Sequence, residues 1–333
     1  MHLGCHVSIR DGYLGAAKNA MRQGASAFQY FPKNPRSLTV KPFDTGDAEA
    51  CRKFCQEYSL KSIAHTPYPT NLSADNEETF RATVRSVRND LEIASACGSI
   101  GVVVHFGQFK GESRDPLYGY LRMIEMANEI LSAWDGSALL LIENNAGQGN
   151  RMGTSLEELA QVRSLLDQPD KVGYCFDTCH AFASSLWSGE NWREVESRAR
   201  ELDYLRHVKA IHLNDSMYPH QSFRDRHANI GKGYIPLSGF ADFFRTPEFQ
   251  GLPIILETPH LSGKTHRDEI SKFPRIGQGM IGDAAFLRTP ERQRLPIVLE
   301  ETPGREGEGH REEIRHVREL ADRWQGGTTC GTV

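Results

Sequence analysis

The chain is most constrained by a rhythm of eight short apolar runs. They are "HLGCHV" (2–7), "AFQYF" (27–31), "SIAH" (62–65), "GVVVHF" (101–106), "ALLLIEN" (138–144), "VGYCFD" (172–177), "VKAIHLND" (208–215) and "PIILE" (253–257). Each run is continuous rather than alternating, the pattern of parallel strands covered on both faces. The stretches between them have helical spacing. "NEETFRATVRSVRNDLEIASAC" (76–97) reads as an amphipathic helix, and "TSLEELAQVRSLL" (154–166) opens with a capping box from Ser155 to Glu158. Eight strand–helix alternations predict an α/β chain folded as a (β/α)8 TIM barrel. The competing doubly wound sheet lacks its usual mark, since no G-x-G-x-x-G follows the first run.

In such a barrel the side chains at the C-terminal ends of the strands converge on one mouth. Those ends, in order, are His65, His105, Glu143, Asp177, His212 and Glu257. His180 follows just after Asp177, and "RDRH" (224–227) adds Asp225 and His227. Each has a bland reading. Asp177 alone suits a helix N-cap, Glu143 could be satisfied by the amides of the Gly-rich turn after it, and a lone D-R-H occurs by chance. Six consecutive strand ends of ligand type are another matter, because core packing gives no reason for them. Five imidazoles and four carboxylates suit borderline cations, with zinc the leading candidate and manganese or iron the alternatives. Nine ligands are too many for one ion. Clusters of two or three ions commonly serve phosphoester hydrolysis, activating water and neutralising the leaving oxygen.

Composition sets the remaining bounds. No apolar stretch approaches the roughly 20 residues of a membrane span, and "MHLGCHVSIRDG" does not read as a signal peptide. Seven cysteines without framework spacing point to reduced thiols and a cytoplasmic protein. "CRKFC" and "CFDTC" have three residues between their cysteines, so Cys51, Cys55, Cys175 and Cys179 read as packing residues. The formal charge of -4 excludes a broadly basic nucleic-acid binder. Three divalent ions would contribute +6 and move that total to +2, all of it at the mouth, where a polyanion could still be attracted.

The motifs "IENNAGQGN", "FDTCHAF", "HLNDS" and "DRHANIGKG" closely resemble signature segments of the endonuclease IV family of apurinic/apyrimidinic endonucleases (deoxyribonuclease IV). The resemblance runs from "HVS" to "ILETP" at 255–259. It implies three zinc ions: one held by His65, His105 and Glu143, a second by Glu143, Asp177, His212 and Glu257, and a third by His180, Asp225 and His227. Glu143 and Glu257 would be the catalytic carboxylates. The implied activity is hydrolysis of the phosphodiester 5′ to an abasic site, leaving a 3′-hydroxyl, together with removal of blocked 3′ ends. The implied partner is damaged double-stranded DNA, met by a monomer without membrane attachment. Arg36 in "FPKNPRSL" and Tyr68 in "HTPYPTNL" match loop side chains that wedge into the duplex. Pro69 stands where several relatives carry a larger aliphatic residue, a departure that points to a shorter wedge. A metal-dependent sugar isomerase or epimerase of the related barrel superfamily is the rival enzyme, and a degenerate binding protein is the non-catalytic one.

The tail repeats itself. "IGKGYIPLSGFADFFRTPEFQGLPIILETP" (230–259) is echoed by "IGQGMIGDAAFLRTPERQRLPIVLEETP" (276–303), and "HRDEI" (266–270) by "HREEI" (310–314). A local tandem duplication follows, and only one copy can supply the eighth strand of a closed barrel. The first copy keeps the D-R-H ahead of it, so Glu257 rather than Glu300 is assigned to the metal. The expected organisation is a barrel over 1–261 and an appendage over 262–333 that partly repeats 230–270, with a helix over 310–324.

Overall fold

The computed structural model describes residues 2–109, 116–149, 151–259, 266 and 270. Eight parallel strands close into a barrel: β1 (His2–His6), β2 (Ala27–Tyr30), β3 (Lys61–His65), β4 (Gly101–His105), β5 (Leu139–Glu143), β6 (Val172–Asp177), β7 (Val208–His212) and, after a short hairpin of β8 (Asp215–Ser216) and β9 (His227–Ala228), β10 (Pro253–Leu256). Their order around the barrel is β1-β10-β7-β6-β5-β4-β3-β2. The expected strands are all present, each within a few residues of its apolar run. The hairpin was not foreseen. It splits "VKAIHLND" into the end of β7 and a separate two-residue strand.

Among the described residues eight helices cover or cap the strands: α1 (Gly12–Arg22), α2 (Thr45–Glu57), α3 (Glu77–Ala96), α4 (Pro116–Leu131), α5 (Leu156–Ser164), α6 (Thr178–Ser184), α7 (Trp192–Glu201) and α8 (Leu237–Phe243). Local chemistry starts them where the sequence places them. Asn76 caps α3 by accepting from Thr79 N, and Ser155 and Glu158 form the reciprocal box that opens α5. No helix among the described residues is long and apolar enough to cross a membrane.

Strand periodicity then builds the site. One interior layer consists of Ala27, Ile63, Val103, Leu141, Cys175, Ala210 and Ile255, one from each strand but β1. On β1 the register position is Gly4, aligned with both Ala27 and Ile255. A Cβ there would stand 1.7 Å from the Ala27 carbonyl oxygen, so only glycine fits. Side chains two residues on share the same face. That step lands on His6, Gln29, His65, His105, Glu143, Asp177, His212 and Glu257. The polar ring is therefore the layer above an apolar plug. A larger apolar shell between strands and helices holds the outer faces.

The eighth barrel position belongs to the first copy of the duplicated segment, because β10 pairs with both β1 and β7. Glu300 and the helix expected over 310–324 lie outside the described residues, as does most of 262–333. Within that stretch, His266 and Ile270 are described. Both are buried, and Ile270 joins the apolar shell.

Candidate metal centre

The nine side chains gather into three overlapping groups. His65, His105 and Glu143 form one, Glu143, Asp177, His212 and Glu257 a second, and His180, Asp225 and His227 a third; within each, the ligand-type atoms lie within 4.8 Å of one another. Glu143, fully buried, belongs to two groups. Its Oε2 lies 3.6 Å from His65 Nε2 and 3.4 Å from His105 Nε2, while Oε1 meets His212 Nδ1 at 2.9 Å. Asp225, from the loop before β9, comes within 3.3 Å of both His180 Nε2 and His227 Nε2. A fourth grouping joins Cys179 to Asp177 and His227. Burial drives the Cys179 thiol well above its ordinary range, and its Sγ donates to the Arg226 carbonyl at 3.6 Å.

Four imidazoles are aimed by a bond at the opposite nitrogen. His65 Nδ1 bonds the Thr66 carbonyl at 2.8 Å, His180 Nδ1 the Asn144 carbonyl at 2.8 Å, and His227 Nδ1 the Glu257 carbonyl at 3.4 Å. Each must donate through Nδ1 to a carbonyl, which turns Nε2 toward the carboxylates. There Nε2 is an N–H while the ring is protonated and a lone pair for a cation once it is neutral. His212 is reversed: Nε2 bonds the Gln29 side-chain oxygen at 2.7 Å, and Nδ1 faces Glu143 and Glu257. Carboxylates are held in the same way. Gln29 Nε2 donates to Glu257 Oε1 at 2.7 Å, and Asn214 Nδ2 donates to Asp177 Oδ2 at 2.7 Å and to Glu257 Oε2 at 3.3 Å. Asp177 also caps α6, its Oδ1 accepting from His180 N at 2.6 Å.

Proton affinities in the ring follow from crowding. Burial works against the charge on His180, yet Asp177 and Asp225 raise its pKa well above the ordinary imidazole value. His227 is likewise raised to about 9 against its burial by contact with Asp225. His105 goes the other way, to about 4, because burial outweighs Glu143. Burial also opposes ionisation of Glu143 and Glu257, but His212 prevails and holds both below the usual range, Glu257 at about 2. Burial raises Asp177.

These residues fit divalent cations. Glu143 Oε2, His180 Nε2 and His227 Nε2 are buried without a hydrogen bond, one or more in every group, and all three point at other ligand-type atoms. Buried polar atoms left so are uncommon and call for a reason. Arg36 and Tyr68 stand apart on exposed loops after β2 and β3. Tyr68 is 66% exposed, its ring 5.1 Å from that of Phe31, and its amide donates to the Pro35 carbonyl at 2.8 Å. His6, Gln29 and Asn214 were missed. The signal for the first two was present in the sequence, since both occupy the strand-end parity of the six that were found.

Barrel and ring together define a class, the xylose isomerase-like TIM barrel, and the family model of that description matches residues 17–276. The chain is 46% identical over 259 residues to a probable endonuclease 4 of Symbiobacterium thermophilum, covering 78% of this chain and 93% of the relative. A probable endonuclease 4 of Carboxydothermus hydrogenoformans is 34% identical, with 82% and 99% covered. Among solved structures, endonuclease IV from Thermus thermophilus superimposes with a TM-score of 0.71 at 31% identity, over 82% of this chain and 97% of that one. A D-tagatose 3-epimerase-like protein at 19% identity and a TM-score of 0.62 shares the fold alone. The chain belongs to the endonuclease IV family.

Proposed function

We propose that this chain is a zinc-dependent DNA-repair endonuclease that hydrolyses the phosphodiester 5′ to an abasic site, leaves a 3′-hydroxyl, and clears blocked 3′ ends. Family membership makes it a nuclease acting on DNA. The observation that carries the finer reading is the triple grouping, with Glu143 common to two groups and buried ligand-type atoms left without hydrogen bonds. His65, His105 and Glu143 would hold one ion, Glu143, Asp177, His212 and Glu257 a second, and His180, Asp225 and His227 a third. Bound divalent ions supply charge neutralisation for the phosphodiester and a nucleophile at neutral pH.

The chain's own residues supply position. Glu143 and Glu257 converge on the same nitrogen of His212, Nδ1, at 2.9 and 3.1 Å, each held ionised beside it. Gln29 and Asn214 keep the Glu257 oxygens from rotating. Tyr68 offers an exposed ring to an unstacked base and Arg36 a cation to the duplex, while Phe31 ties the Tyr68 loop to His65 through ring contacts of 5.1 and 5.6 Å. The sugar epimerase reading has only the shared barrel in its favour.

Incubating the purified protein with a duplex carrying one tetrahydrofuran abasic analogue tests this directly. Chelator-sensitive cleavage 5′ to the lesion, giving an end that a polymerase extends, is expected. A natural abasic site should give no adduct under borohydride. An unsaturated aldehyde on the 3′ end would exclude hydrolysis.

A further inference from the structure

Two of the eight positions in the polar ring carry no proposed ligand. They are His6 on β1 and Gln29 on β2, which are neighbours in the strand register. An imidazole at such a position is of ligand type, yet His6 belongs to none of the metal-capable groups among the described residues. Its Nδ1 faces Gln29 Nε2 instead, at 3.3 Å, and its ring packs on Phe31 with centroids 4.5 Å apart.

The donors and acceptors around Gln29 decide what that contact does. β1 lies between β2 and β10, so the Gln29 side chain reaches across it to partners on β10 and β7. Its nitrogen meets Glu257 Oε1 at 2.7 Å and its oxygen meets His212 Nε2 at 2.7 Å. Only the NH2 end can face a carboxylate, which fixes the orientation of the amide. One N–H is then left over, on a side chain with no exposed surface. A buried donor without a partner gives up its hydration and gains nothing in return, and His6 Nδ1 is the acceptor within reach. Because an amide nitrogen only donates, His6 must present a lone pair at Nδ1 and carry its proton on Nε2. His65, His180 and His227, which donate through Nδ1, are arranged the other way round.

We propose that His6 is a positioning residue for the second ion of the centre: by accepting the spare Gln29 N–H it locks the amide that orients His212 and Glu257. The inference rests on the zinc reading above, and its test reads metal affinity and ring tautomer as well as incision. His6→Phe keeps a ring against Phe31 and removes the acceptor. His6→Asn keeps an acceptor oxygen near the place of Nδ1 and removes the ring. In competition with a chromogenic chelator, His6→Phe should hold one of its ions about tenfold more weakly, the lower end of what a lost supporting partner costs. It should also lower kcat for incision more than it raises KM. His6→Asn should recover most of both. In a Gln29→Met background His6→Phe should add little, since the amide that it serves is gone. Nitrogen NMR of zinc-loaded wild type labelled at histidine should find the His6 proton on Nε2, a result that depends on no variant folding. Wild-type zinc affinity in His6→Phe overturns the proposal, as does His6→Asn behaving like His6→Phe. An equal loss in both backgrounds, or a proton on Nδ1, overturns it too. If the zinc and tautomer results hold while the wild type leaves abasic duplex uncut, the positioning role stands and the incision reading falls.

Discussion

Asp177 answers two readings with two oxygens. Oδ1 caps α6 through His180 N, while Oδ2 faces Asn214 and the ring. The bland role and the chemical one are thus compatible, and the cap itself sets His180 one turn from Asp177. Gln29 works similarly, with its oxygen on His212 and its nitrogen on Glu257. Gln29→Met keeps the shape and removes both bonds, freeing the His212 tautomer. Loss of such a supporting partner typically costs 10–100-fold in metal affinity, so about that loss is expected in competition with a chromogenic chelator. Wild-type affinity would relegate Gln29 to packing. Removing a ligand should act by group: Glu143→Gln should deplete two ions together and His180→Ala mainly one, counted by plasma mass spectrometry. The six strand-end ligands were legible because imidazoles and carboxylates stand out against apolar runs. Gln29 shares their strand-end position, but its role was not legible, because an amide is no ligand and that role is set by Glu257, 228 positions away.

At the scale of elements, the strands were legible as strands because burial on both faces leaves no polar alternation to confuse with a helix. The β8–β9 hairpin was not, since two residues cannot show a period. It is held by Asp215, a fully buried carboxylate that accepts from Ser216 N and Ile235 N on one oxygen and from Gly231 N and Gly233 N on the other. Burial raises its pKa against those four amides. The loop after His227 is thereby tied to the strand that pairs with His227. The loop after β2 hangs on a different device, the Lys33–Asp90 pair, with side chains 1% and 0% exposed. Burial pushes Asp90 up to about 7 and Lys33 downward, each against the pull of the other. Lys33→Met leaves a carboxylate buried without its cation, a change that costs about 3–5 kcal/mol in comparable pairs. Urea unfolding should show that loss, and adding Asp90→Leu should recover much of it. A single variant as stable as the wild type would mean that the pair does not hold the loop.

For the whole molecule, the rhythm of apolar runs was enough to give the barrel, because closure follows from the number and spacing of strands. The duplicated tail was less legible, since two near-identical copies satisfy the same local pattern. With β10 seated between β1 and β7, Glu257 lies 3.1 Å from His212 Nδ1. Glu257→Gln should therefore lose zinc and incision while Glu300→Gln keeps both; the reverse result would mean that the copies exchange strands. Where the barrel's own chain stops is a separate question, and His266 and Ile270 bear on it. His266 Nε2 bonds the Thr258 carbonyl at 3.0 Å, just beyond β10, and Ile270 packs in the apolar shell. Burying an isoleucine side chain stabilises by about 1.5–3 kcal/mol, and for a chain of this size each kcal/mol moves the thermal midpoint by about 2–4 °C. A chain ended after residue 261 should thus melt several degrees below one ended after residue 276, where the family match also stops. The longer version should retain the full metal count. Equal midpoints for the two would show that the first "HRDEI" adds nothing to the barrel and that the appendage begins directly after the eighth strand.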